Sequence, residues 1–153
     1  QDMGKYEEAE PMFRRTLKVQ VEELGLKHPD TLGSSNNLGA LLRAMGKYEE
    51  AEIIYRQTLK VREEELGLRH PETLRSSNNL AVLLQAMGKY EEAKPMFRQT
   101  LKVTEEKLGP MHPDTLIISN NFACLLYDMG KHAEADRHPD TDLKEQQQSC
   151  SSW

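Results

Sequence analysis

Residues 88–129 read GKYEEAKPMFRQTLKVTEEKLGPMHPDTLIISNNFACLLYDM, and the reading of this stretch decides the fold. Moved back by 42 residues, the same pattern occupies 46–87, and moved back again it occupies 4–45. The first and second copies agree at 30 of 42 positions, and the second and third at 27 of 42. A fixed period of this length marks a solenoid or array: one unit cannot bury its apolar face alone, and stacked neighbours make a continuous core.

Each copy divides into two helices. Residues 5–24, 47–66 and 89–108 form one type. In the second copy its apolar positions are Tyr48, Ala51, Tyr55, Leu59 and Leu66, spaced mostly by three and four. Glu49 and Glu50 open that helix, and Lys60 and Arg62 come later, the order the helix dipole favours. Gly25, Gly67 and Gly109 follow as left-handed caps. Then comes His-Pro-acid-Thr-Leu at 28–32, 70–74 and 112–116. Proline at the first helical position forfeits no hydrogen bond, and the acid after it faces the positive helix end. These signals start the other helix type, at roughly 30–45, 72–87 and 114–129. Its ridge in the first copy is Leu38, Leu41, Leu42 and Met45. Gly46, Gly88 and Gly130 are expected to close it with a short turn.

The run NNLAVLLQAMGKYEEAKPMFRQTL resembles a tetratricopeptide repeat, through Leu80, Ala81, Leu84, Gly88, Tyr90, Ala93 and Phe97. The 42-residue period, LGxxHP and SNNLA are similar to kinesin light chains and nephrocystin-like proteins. Thr58 and Thr100 stand where that family often has alanine, and no heptad stalk is present. The resemblance covers about residues 3–135. It implies an all-α, α-α superhelix (a tetratricopeptide solenoid) of about six antiparallel helices. It also implies a non-catalytic, kinesin-light-chain-like adaptor or scaffold that binds a protein or extended peptide in a concave groove. The alternative is a sensor, regulatory or self-associating array within a larger multidomain protein.

The array is expected over 1–137, with repeats at 4–45, 46–87 and 88–129 and a truncated fourth from 130. In a full copy the histidine of the HP motif lies 19 positions after the alanine at Ala93, whereas Ala135 and His138 are 3 apart, so 16 residues are missing. Residues 131–137 are expected to add a helical turn or two at most. The remainder, 138–153, is polar and aperiodic and reads as a disordered tail. Gln1 opens the chain part-way through a repeat, as in a segment of a longer array.

Composition fits a thin stack with a wet surface: of 153 residues 37% are hydrophobic and 29% charged. The net charge of −5 gives no nucleic-acid footprint, and no apolar run approaches the ~20 residues that span a bilayer. Cys124 and Cys150 make no disulfide framework, so a reducing, cytoplasmic setting is expected.

The repeated histidines, His28, His70 and His112, read as loop residues beside helix starts, because successive layers hold them too far apart for one ion. Glu49, Glu50, Glu91 and Glu92 read as solvated first-turn charges. Cys124 takes the place of Ala40 and Val82 and reads as a packing or groove-lining residue. No catalytic constellation, metal set or cofactor site is expected. The unexplained signal is the asparagine pair in each copy: Asn36 and Asn37, Asn78 and Asn79, Asn120 and Asn121. Asparagine is a poor mid-helix residue, at up to ~0.7 kcal/mol against alanine. At 100° per residue the pairs lie opposite the apolar ridge, with Arg43, Arg75, Gln85 and Tyr127. An amide offers donor and acceptor together, so it can hold a peptide backbone without reading its sequence. Arg43 and Arg75 would favour an acidic side chain on that ligand. The helix at 5–24 carries Tyr6, Phe13 and Leu17, whose outer side is expected to pair end to end with another copy at high concentration.

Overall fold

The computed structural model describes residues 3–137, which form six α-helices and no strand. They are α1 (Met3–Leu24), α2 (Pro29–Ala44), α3 (Tyr48–Leu66), α4 (Pro71–Ala86), α5 (Tyr90–Leu108) and α6 (Pro113–Arg137). The all-α helix-hairpin solenoid is as the period predicts. Residues 138–153, with the expected tail, lie outside the described part. Two compact units divide the chain, one ending at Met87 and the other beginning at Gly88.

In the first unit, α1 packs on α2, α2 on α3 and α3 on α4. Leu38, Leu42, Ala51, Tyr55, Leu80, Ala81, Leu83 and Leu84 are buried between them. Gly39 is a packing requirement here, since a Cβ at that position would stand 2.5 Å from the Tyr55 ring. The hairpin turn between α2 and α3 needs glycine for another reason. Gly46 has φ of 79°, a left-handed conformation that lets the chain reverse. Charged side chains tie α1 to α3. Glu10 accepts from Lys47 at 3.1 Å and from Arg14 at 2.9 Å, and Arg14 also donates to Glu50 at 2.7 Å. The hydrogen bonds from Arg14 and then Lys47 hold the Glu10 carboxyl below the usual carboxylate range.

The repeated histidines have a structural task that the spacing argument missed. Nδ1 of His28, His70 and His112 accepts the backbone N–H of Asp30, Glu72 and Asp114, each at 3.1 Å. His28 and His70 are in extended conformation, so the imidazole is a helix N-cap and satisfies one of the amides that helix geometry leaves open. The threonine of the same motif ties the helix back to its predecessor. Thr31 Oγ1 donates to the Gln20 carbonyl at 3.4 Å, and Thr73 Oγ1 to the Arg62 carbonyl at 3.2 Å. His70→Ala is therefore expected to cost about 1 kcal/mol of stability. His70→Asp, which restores an acceptor and suits the dipole, should recover most of it. Chemical denaturation decides, and an alanine variant as stable as the parent would show the cap to be inert.

In the second unit, α5 packs on α6. Ala93, Phe97, Val103, Ile118 and Leu125 are buried, and the Phe97 and Phe122 rings stack at 6.2 Å between centroids. Gly130 departs from the expected turn: α6 runs through it to Arg137, and its φ is not positive. Three local interactions favour continuation. Lys131 Nζ lies 5.6 Å from the Tyr127 ring centre, Lys131 pairs with Glu134 at 3.4 Å, and His132 meets the Tyr90 ring edge-on at 5.9 Å. At Gly46 the reversal is repaid by burial of Ala51 and Tyr55. Here the sequence lacks 16 residues of a full copy, and with them the apolar positions such a helix would bury, while a glycine in a helix costs only about 1 kcal/mol.

Candidate functional site

The asparagine pairs lie in the middle of α2, α4 and α6. In the first unit the face opposite the leucine ridge carries Asn36, Asn37 and Arg43 on α2 and Arg75, Asn78, Asn79 and Gln85 on α4. Asn37, Arg43 and Arg75 are exposed, and the other four are half-buried. Asn79 Nδ2 donates to Asn36 Oδ1 at 3.0 Å, a bridge between amides 43 positions apart. The first asparagine of one copy thus meets the second of the next. This bond fixes both side chains in orientation. By the inventory of an amide it leaves Asn36 its Nδ2 donors and Asn79 its Oδ1 acceptor, so the bridged pair still presents both functions.

The arginines differ. Arg43 stands near the Tyr55 ring, whose hydroxyl pKa burial pushes up and Arg43 pulls down. Arg75 Nη1 lies 3.4 Å from Glu72 on its own helix, which reduces the positive charge it offers an acidic ligand. In the second unit, Asn120 and Asn121 are half-buried and Tyr127 is exposed beneath the Lys131 ammonium. Cys124 is buried on the same helix.

The dipole argument gives Arg62 only its late position along the helix, and the structure adds that it is buried. Its side chain is 7% exposed and lies under the first turn of α4. It donates to Ser76 Oγ at 2.6 Å and to the Glu72 carbonyl at 3.4 Å, and its Nη2 lies 3.5 Å from Glu72 Oε2. Burial lowers its pKa, and the Glu72 charge opposes that. Gln20 and Thr104 occupy the equivalent positions. A place that is glutamine, arginine and threonine in three similar copies is a polar niche, and that variation was the available signal.

Glu49, Glu50, Glu91 and Glu92 are all exposed. Among the described residues, no three His, Cys, Asp or Glu side chains stand close enough to hold a metal ion. None of the described helices is long and apolar enough to cross a membrane.

A family model described as the tetratricopeptide repeat matches residues 1–64, 30–106 and 72–138. Among solved structures the chain is similar to the nearly identical TPR-like repeats of a candidate kinesin light chain from Podosopora anserina. The sequences are 26% identical over 97% of this chain and 68% of that one, with a TM-score of 0.71. A variant of the same repeats gives a TM-score of 0.73 at the same identity and coverage. BtubC (BKLC) from P. vanneervenii is 20% identical over 97% of this chain and 57% of that chain, with a TM-score of 0.75, a likeness of fold alone. No curated protein matches the sequence.

Proposed function

This chain belongs to the tetratricopeptide-repeat family, and from that premise we propose that it is a protein-interaction module, an adaptor or scaffold like the kinesin light chains, whose asparagine-bearing helices hold an extended peptide. The observation that carries the reading is the Asn79–Asn36 bridge at 3.0 Å. Two mid-helix asparagines per copy are unfavourable for the helix itself, and the bridge uses only one donor and one acceptor of the pair. What remains, with exposed Asn37 beside it, suits the alternating N–H and C=O of a backbone in extended conformation. Exposed Arg43 supplies the charge that favours an acidic residue on that peptide. In the second unit, Asn120, Asn121 and Tyr127 offer a second set of the same kind. A groove of amides and guanidinium has no nucleophile or acid–base pair, so the proposed role is binding without catalysis.

The test is an array of extended peptides, with and without acidic residues, followed by titration of the best binder. Asn37→Ala is the clean variant, since Asn79→Ala also removes the bridge. We expect Asn37→Ala to weaken binding by about 1 kcal/mol, roughly fivefold, with the helix content unchanged. Unaltered affinity for a peptide shown by chemical shifts to lie on α2 would end this reading.

A second reading, self-association, is favoured by one observation. Leu126 is 45% exposed on α6, whereas its counterparts Leu42 and Leu84 are 0% exposed. Its ridge can accept another second-type helix such as α1 of a further copy. Sedimentation velocity should then show mass rising with concentration, and Leu126→Glu should hold the chain monomeric. A parent chain that is monomeric at millimolar concentration rules this reading out.

A further inference from the structure

The loops between second-type and first-type helices hold leucines that the fold does not use. Leu24 and Leu26 flank Gly25, and Leu66 and Leu68 flank Gly67; they are 44%, 65%, 42% and 68% exposed. The apolar spacing of the second copy assigns Leu66 to the core face, and the structure leaves it at the surface. Both loops lie at one edge of the first unit, because Lys27 Nζ of the first is 3.2 Å from Glu65 Oε1 at the end of α3. The charges around them have an unusual sign. Glu22, Glu23, Glu63, Glu64 and Glu65 crowd the last turns of α1 and α3, against two exposed cations, Lys27 and Arg69. Neither last turn carries a basic residue. Carboxylates at a helix C-terminus oppose the dipole, so this arrangement works against the stability of both helices. Apolar side chains in water and negative charge added to a negative helix end occur together, at the same edge, in two successive copies.

We propose that this edge docks a basic amphipathic helix of a partner protein. The leucines supply the apolar contact, and the surrounding glutamates select lysine or arginine on the flanks of the partner. The ion pair from Lys27 to Glu65 sets the two loops side by side, so one amphipathic helix can lie across both sets of leucines. The same carboxylates repel an anionic lipid surface. The surface is separate from the asparagine face, and its fate does not depend on the peptide reading.

The probe is a synthetic 18-residue leucine–lysine peptide with leucines at helical spacing, titrated into the full 153-residue chain and followed by amide chemical shifts. The expected result is a set of shifts centred on 24–27 and 66–69, with affinity falling as salt rises. A leucine–glutamate peptide should not bind. The double variant Leu26→Ser, Leu68→Ser, at two exposed loop positions, should weaken binding at least tenfold with an unchanged circular dichroism spectrum. Glu63→Lys with Glu64→Lys should do the same by charge alone. Shifts centred on α2 and α4, shifts spread over the surface without a centre, or a leucine variant that binds like the parent would each overturn the proposal. So would binding of phosphatidylserine vesicles through the same leucines, which would make the edge a lipid surface.

Discussion

Pro95→Ala is expected to stabilise the second unit by about 2 kcal/mol. Pro95 lies inside α5, which runs Tyr90–Leu108 without interruption. Proline at N1 is harmless, but Pro95 is the sixth residue of this helix. There it removes the N–H that would bond the Glu91 carbonyl, and its ring crowds that carbonyl. The penalty for an interior proline is about 3 kcal/mol. Part of it is returned because proline also restricts the unfolded chain, by about 0.4–1 kcal/mol. The second copy has Ile53 at the same position, in a helix of the same 19 residues. Pro95 is exposed, so removing its ring sacrifices little packing. Thermal melts of the full chain should show the melting transition raised by several degrees. Pro11, equivalent in α1, should behave alike. A Pro95→Ala variant that melts with the parent would mean that α5 has already bent to absorb the ring.

The helix pairs were legible in the sequence because the copies repeat every signal. A proline in a helical run normally argues for a break at the residue before it. Here the second copy, with Ile53, outvotes Pro11 and Pro95. The N-terminal boundaries were legible from Pro29, Pro71 and Pro113, each of which opens its helix. Gly130 misled for the converse reason. Glycine permits a left-handed turn without requiring one, and what makes Gly46 turn is the burial won by the helix after it, at Ala51 and Tyr55. That is a tertiary gain, absent from the local letters. The site was legible only as far as residue type. The asparagine pairs stand out because they disfavour their own helices, but the bond from Asn79 to Asn36 joins residues 43 apart, across layers. The burial of Arg62 was hidden among its neighbours Lys60, Glu63 and Glu64, which are exposed. Its burial follows from the 3.6-residue turn, which carries it onto the face of Tyr55 and Thr58, both buried. The histidine caps were hidden because imidazole is an uncommon N-cap, and only the extended conformation at His28 and His70 turns the ring onto the amide.

Phe97→Ala is expected to cost 3–5 kcal/mol, enough to unfold the second unit while the first retains its helices. Phe97 is fully buried in α5. Its ring stacks on Phe122 of α6 at 6.2 Å with planes 24° apart. The two rings meet across the hairpin, one from each helix. Within this unit the described helix pair is α5 on α6. The first unit has three such interfaces and its own buried residues, among them Leu42, Leu80 and Leu84. Its transition should persist, so the melting curve should split into two steps. Phe97→Leu keeps most of the apolar volume but loses the ring pair, and should cost about 1.5 kcal/mol or less beyond the change in buried area. The double variant with Phe122→Leu separates the terms. If ring stacking matters, the second substitution costs less in the Phe97→Leu background than alone, by 0.5–1.5 kcal/mol. Amide exchange read residue by residue is the decisive measurement. Loss of protection across α5 and α6 with α2 and α4 intact is the expected pattern. Simultaneous loss of protection in all six helices would mean that the chain unfolds as one body.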